Sequence, residues 1–568
     1  MRIPFAILVS SWLLAMPAAR GVDLDLFVTD YNENPSAEQK ALLDQPIVYA
    51  RPKSVTVQTA DGKTVTIPDP VSIEIRTPLQ GDTREAHIFA SRGEYEPFSF
   101  LLRPAEALQD VFITGGELKG PDGAIIPADH VLVQSVEGFH GGGRDILMTL
   151  GRNWNMAAHS TEFFWCTVKV PPDAAPGAYT GLVTVTAAGQ PVGSIRIALD
   201  VLPIQLPDPP FSLGLNYSRP EGDADGAILE AQFRDMREHG MTCVAPLYNW
   251  RQPVYDTDTS ELGNLLEAYK KGGFPGTFYW AAPMDLQLTE LAGFGDETTR
   301  RWQQRYIKVM RLEHDEVAKH DVPTLFSIGD EFTNKGLEGV KTAGRLAKFV
   351  WEELPEIPAT SDMDGYREVM AMAPYLNVAT FNNGWDGADY HNGGRRLLNR
   401  AFLEELQKDT GAIPWFVNAG SGRFPFGFFF WKMTKYGVRG KVEWYYNLGH
   451  NEAGSLVHAQ GATIDPTLDY ERCREGIDDL KYLCKLDSLV AHADPALPQA
   501  KAARDLLKEI DEGIAADWNL YEGQGGRRFP DDGFANLDPD KIRSLGRLNS
   551  IRRQVANAIV ALQEVGVR

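Results

Sequence analysis

Between residues 211 and 447, short apolar runs alternate with stretches in which apolar residues recur every three to four positions. The runs are FSLGLNYS, TCVAPLYN, GTFYWAA, TLFSIGDEF, ATSDM, NVATFNN, IPWFVNAG and KVEWYYN. Helical spacing between them covers residues 226–239, 261–271, 298–320, 337–354, 366–376 and 394–408, with a weaker pattern at 428–436. Eight strands with seven intervening helices predict a (β/α)8 TIM-type barrel. Residues 47–202 have a different rhythm: β-type runs such as FSFLLRP, VFITGG, FFWCTVKV and SIRIALDVL are separated by Gly, Pro and Asp turns. That pattern predicts a β-sandwich. The intervening LPIQLPDPP is rich in proline, which withholds backbone donors and stiffens the chain into a linker. Amphipathic patterns at 469–492, 496–516 and 540–567 predict a helical extension. The expected layout is a signal peptide at 1–21, a poorly patterned lead at 22–46 and the sandwich at 47–202. A linker at 203–210, the barrel at 211–468 and a helical region at 469–568 follow.

The beginning of the chain adds an address. Arg2, an apolar stretch over residues 3–16 and the small residues Pro17, Ala18 and Ala19 read as a secretory signal, so the mature protein is expected to be exported, periplasmic or extracellular. No later apolar run approaches the ~18 residues of a membrane span. The 568 residues carry 56 basic and 77 acidic side chains, a formal charge of −21. Such a surface disfavours nucleic acid and anionic membranes as partners. The four cysteines lack CxxC spacing, and Cys473 and Cys484 lie too far apart along one helix to bridge, so buried free thiols or at most one disulfide are expected. With no HExxH, Walker loop or dinucleotide fingerprint, no metal or cofactor is expected. Glu94 and Glu96, at the start of a sandwich strand, are expected to be exposed.

The chemistry concentrates in TLFSIGDEF. Strand alternation puts Phe326, Ile328 and Asp330 on one face and Leu325, Ser327, Gly329 and Glu331 on the other. Glu331 then points into the barrel mouth, and Asp330 joins it only if the strand bulges at its end. Read alone, the acidic pair also fits the start of a helix. Its position at the C-terminal end of barrel strand four favours a site, because the loops on that face are free to vary. Other strand ends carry Asn216, Tyr217, Tyr248, Asn249, Trp250, Tyr279, Trp280, Asp362, Asp364, Asn382, Asn383, Trp385, Tyr445 and Asn447. Aromatic faces cover sugar C–H faces, while amides and carboxylates take hydroxyls, so the expected partner is a glycan substrate. The substrate-binding candidates are Tyr445, Asn382, Trp385, Asp386, Trp280, Tyr248 and Glu443. A two-carboxylate glycosidase needs a second acid. Strand seven ends on Asn418, Ala419 and Gly420, which leaves Glu443 or Asp386. The alternative is that a substrate acetamido oxygen attacks the anomeric carbon, with one carboxylate holding its N–H and the other protonating the leaving group.

The acidic pair in SIGDEF, the later YERCREGIDDLKYLCKL, and RGEYEPFSFLLRP and FFWCTVKVPPDAAPGAYTGLVTV in the sandwich resemble glycoside hydrolase family 123 and its uncharacterised relatives. The resemblance spans roughly residues 47–489. It implies retaining, substrate-assisted exo-hydrolysis of β-linked N-acetylhexosamine, N-acetylgalactosamine above all, without metal or cofactor. By position, Asp330 would orient the amide, Glu331 would be the acid/base, and Tyr445 is the candidate for a tyrosine that bonds the acetamido oxygen. Phe332 stands where the resemblance leads one to expect proline. Rival expectations are a glycosidase of other specificity using Glu331 with a second carboxylate, and a non-catalytic glycan-binding protein.

Overall fold

The structure, a computed structural model, describes residues 24–29, 54–58, 64–68, 84–138, 145–150, 153–160, 162–220, 223, 226–247, 258–280, 298–383, 396–447, 455–516 and 548–567. It comprises an N-terminal β-sandwich, a central eight-stranded parallel barrel and a C-terminal helical region.

One sandwich sheet runs in the order Leu24–Thr29, Tyr95–Pro104, Glu162–Lys169, Val131–Gly138, Asp145–Thr149. The main path of the other runs Trp154–Met156, Leu108–Gly115, Gly177–Ala187, Gln190–Gln205, Glu85–Arg92. Alternate residues meet between the sheets: Phe98, Phe100 and Leu102 pack with Phe164, Cys166, Val183, Ile195 and Ile197, and Phe100 stacks on Phe164 at 5.2 Å. The opposite face of the same strands is also covered, since Leu101, Phe163 and Trp165 pack with Leu468. Burial on both faces explains why FSFLLRP reads as a continuous apolar run.

Three details differ from expectation. Leu24–Thr29, inside the supposed lead, is an edge strand antiparallel to Tyr95–Pro104, because Leu24 and Leu26 alternate into the core. Ser54–Gln58, within the span expected to form the sandwich, lies outside both sheets and pairs with Thr64–Pro68 as a separate hairpin. The strand Gln190–Gln205 runs on into the proline-rich segment, with a register shift between Val201 and Gln205 where Pro203 interrupts the ladder.

The barrel strands are, in chain order, Ser212–Tyr217, Ala245–Pro246, Phe278–Trp280, Thr324–Asp330, Ala359–Met363, Val378–Phe381, Ile413–Val417 and Gly440–Glu443. Strand one lies between strands two and eight, and the sheet continues from eight back to three. Strands two and three close the ring through the amides of Gly276 and Tyr279, which donate to the carbonyls of Thr242 (2.8 Å) and Val244 (3.1 Å). Ala245, Tyr279, Leu325, Val378, Trp415 and Val442 fill the lumen. Phe326, Ile328, Leu213 and Leu215 point outward into the larger core beneath the helices. The helices Ala227–Glu238, Ser260–Gly272, Arg300–His320, Gly336–Glu353, Tyr366–Met372, Arg400–Thr410 and Phe428–Thr434 follow the expected periodicity.

The helix Leu468–His492 lies between barrel and sandwich, with Leu548–Glu564 against it. Here Glu94 and Glu96 are buried rather than exposed. Arg552 donates to Glu96 (3.2 Å), Glu475 (2.9 Å) and Asp479 (2.5 Å), and lies 3.6 Å from Glu94. Arg423, from the segment after strand seven, donates to both oxygens of Asp479, and the Tyr482 hydroxyl donates to Glu94 at 2.8 Å. Sandwich, barrel and terminal helices thus share one buried ionic network. The four cysteines are unbridged. No described helix is long and apolar enough to cross a membrane.

Candidate active site

Strand four does bulge. Ser327 pairs with Thr360 and Asp330 with Asp362, so three steps on strand four answer two on strand five. The extra residue turns the strand end so that successive side chains, Asp330 and Glu331, both reach the mouth. Local bonds pin the bulge: the Gly329 carbonyl accepts the Ser327 (3.1 Å) and Ser361 (2.9 Å) hydroxyls, and the Glu331 amide donates to the Asp362 carbonyl at 2.9 Å. A side chain at 329 has no room, since a Cβ there would lie 2.1 Å from the Phe332 ring. Glu331 itself adopts a left-handed backbone conformation, φ 42° and ψ 50°, which is unfavourable for an L residue and is found where surroundings enforce it.

The mouth is a cleft of about 280 Å³ lined by Asn216, Leu247, Asp330, Glu331, Asp362, Met363, Asn382, Val417, Asn418 and Trp444. These come from the C-terminal ends of strands one, two, four, five, six, seven and eight or the residues that follow. Asp330 is exposed at the surface of the cleft, with its base set in the densely packed end of strand four. That packing, followed by the charges of Asp362, Glu331 and Asp364, pushes its pKa well above the usual carboxylate range. Asp362 is buried, accepts the Tyr279 hydroxyl at 2.5 Å, and has its pKa pushed up to about 7, chiefly by burial and against the effect of that hydrogen bond. Asp364 is buried with its carboxyl beside that of Glu368, and burial, followed by the Glu331 charge, lifts its pKa to about 6. Glu331 is half-buried and accepts Asn334 Nδ2 at 2.8 Å. The carboxyl groups of Asp330, Glu331 and Asp362 therefore converge on one side of the cleft. Asparagine amides and the Trp444 indole, 38% exposed, form much of the rest.

Of the sequence candidates, Asp330, Glu331 and Asn382 meet in this cleft, with Asn216 and Asp362 from the wider set. Glu443 and Trp280 are corrected: both point away from it. Val442 occupies the lumen, so its neighbour Glu443 turns outward, where it pairs with Lys441 at 2.9 Å and Lys441 lies over the Phe426 ring. Tyr279 likewise takes the lumen, leaving Trp280 to stack with Phe278 and donate to Glu313. Tyr445 is buried beside Trp444, ring centroids 4.9 Å apart, and does not line the cleft. Tyr248, Trp385 and Asp386 lie outside the described residues. Sequence reading missed Trp444 and Asn418 as cleft residues. The signal was there for Trp444, because counting alternately from an inward Val442 selects Trp444, not Glu443 or Tyr445. Among the described residues no group of three or more His, Cys, Asp or Glu side chains is arranged to hold a metal ion.

Fold and cleft together define a sandwich-and-barrel protein with an acidic site on the C-terminal face of its barrel. The chain is similar in structure to a family 123 glycoside hydrolase from Clostridium perfringens described in the context of glycolipid glycan hydrolysis. The TM-score is 0.58 at 13% identity, covering 86% of this chain and 95% of that one. The family resemblance read from the sequence thus has a counterpart in the fold. A family 39 glycoside hydrolase from Bacteroides cellulosilyticus matches over 69% of this chain and 81% of its own at 11% identity, with a TM-score of 0.37. No protein-family model and no curated protein sequence matches the chain.

Proposed function

We propose that this chain is an exported retaining glycoside hydrolase that cleaves β-linked N-acetylhexosamine, N-acetylgalactosamine in preference, by substrate-assisted catalysis. The observation that carries the reading is the bulge that brings the adjacent carboxylates of Asp330 and Glu331 into one cleft. In this reading Asp330 accepts the acetamido N–H and steers the acetamido oxygen onto the anomeric carbon. Glu331 gives its proton to the departing glycosidic oxygen and then takes one from the attacking water. Positive charge develops on the ring and the oxazolinium intermediate as the bond breaks. Asp330 and Asp362, held in a partly desolvated site among like charges, gain a counter-charge only at that stage, so their attraction is larger in the transition state than in the ground state. The Asn216, Asn382 and Asn418 amides suit hydroxyls, and Trp444 suits an apolar sugar face. The likeness to a family 123 structure is consistent with this assignment.

One observation keeps a second reading in play. Asp362 also lines the cleft, so a two-carboxylate mechanism with Glu331 as acid and Asp362 as nucleophile has a candidate that the outward-facing Glu443 cannot provide. Chromogenic β-N-acetylgalactosaminide, β-N-acetylglucosaminide and β-galactoside, assayed with wild type, E331Q and D330N, separate the two. The proposal expects turnover of an acetamido sugar, a loss of about 10²–10⁴-fold in E331Q on glycosides whose departing oxygen needs a proton, and inhibition by an acetamido-derived thiazoline. Equal turnover of the plain galactoside, with D330N no more damaged on acetamido sugars than on others, would favour the second reading.

A further inference from the structure

Glu368 stands on the short helix Tyr366–Met372 after strand five and is fully buried. Its Oε1 accepts the Phe332 amide at 2.8 Å, and its Oε2 accepts the Thr333 hydroxyl at 3.2 Å and the Asp364 amide at 3.3 Å. Two of these donors belong to the residues immediately after Glu331. The third lies two residues past Asp362. One carboxylate therefore ties the loop after strand four to the loop after strand five, at the point where Glu331 holds its left-handed conformation. Among the described residues no cation pairs with it. Burial, with Asp364 next, raises its pKa well above the usual range. A buried carboxyl without a cationic partner is costly to ionise, and a side chain with no polar atoms would fill the space at less expense of solvation. What a neutral amide cannot do is accept from three donors with both oxygens.

We propose that Glu368 is the positioning residue for Glu331: it touches no substrate, but by anchoring Phe332 and Thr333 it holds the Glu331 carboxyl in line with the glycosidic oxygen. The inference rests on the reading of Glu331 as the acid. Thr333 is the other end of the same device. It is fully buried in the turn Phe332–Lys335, and its hydroxyl is committed to Glu368 rather than to the cleft.

The consequence is a dependence on leaving group. A positioned acid matters when the departing oxygen needs a proton and hardly at all when the leaving group is already a stable anion. The test measures kcat and KM of the full chain, as wild type, E368Q, T333V and E331Q, on aryl N-acetyl-β-galactosaminides whose phenols range from dinitrophenol to phenol. The expected result for E368Q is a kcat/KM, which reports departure of the leaving group, lowered roughly 10–100-fold on the phenyl substrate and less than about 3-fold on the dinitrophenyl one. T333V keeps the side-chain shape and removes one donor, so it should show the same gradient, smaller, and both should be partial versions of E331Q. Equal losses across the series, or none, in soluble variants that unfold at the wild-type temperature would overturn the proposal while leaving the function standing. A wild type silent on every glycoside would overturn the hydrolase reading, and this proposal with it.

Discussion

Asp362 is held by Tyr279, whose ring fills the lumen while its hydroxyl stabilises the carboxylate. If the ionised form supports positive charge in the transition state, kcat/KM should rise with pH through about 7, the value to which burial pushes this acid. The Tyr279 hydrogen bond lowers that pKa, so Y279F should shift the rising limb to higher pH, and D362N should remove the limb. A limb that stays in place in D362N would assign it to another group. Asp362 was legible in the sequence as a polar residue at a strand end. Its tyrosine was legible only as one of two neighbouring aromatics, because the choice between Tyr279 and Trp280 depends on which of them the barrel turns inward. The same parity misled the reading of Glu443. Lys441 and Glu443 neutralise one another behind strand eight, and a pair two residues apart on a strand carries no mark of which face it occupies.

At the scale of the element, the bulge of strand four decides what the cleft contains. Regular alternation would present one acid of the pair; the extra residue presents both. Gly329 makes the turn compact enough for the Phe332 ring to fold against it. G329A should therefore displace Phe332 and the adjoining Glu331. A stability loss of about 1–3 kcal/mol is expected from overpacking, together with a fall in kcat larger than the change in unfolding would suggest. Thermal unfolding alongside turnover checks this, and a variant with lowered stability but full kcat would detach the glycine from the geometry of the acid. The strands and helices of the barrel were legible because each has its own periodicity and turn residues. The bulge could be anticipated only as a condition for using both acids, since its anchors, the Ser361 hydroxyl and the Gly329 carbonyl, lie on different strands.

Across the whole molecule, the network around Arg552 joins parts of the chain that sequence pattern treats separately. Glu94 and Glu96 look like surface residues because nothing local announces a buried arginine 456 positions beyond Glu96. Burial, and then the Asp478 charge, raise the Glu94 pKa to about 7. A folded-state pKa above the unfolded one means that the folded protein binds the proton more tightly. The resulting stabilisation is complete below the ordinary carboxylate value of 4.5 and is lost as pH rises through about 7. The difference in unfolding temperature between wild type and E94Q should therefore shift against wild type over that interval, and a difference independent of pH would place the proton elsewhere. The same network bears on how the protein is made. Domains emerge from the ribosome in order and tend to fold as they appear, so the strand carrying Glu96 is complete long before the helix carrying its cation exists. The newborn sandwich must wait with two acids still open to water until the helix Leu548–Glu564, made long afterwards, seals them in.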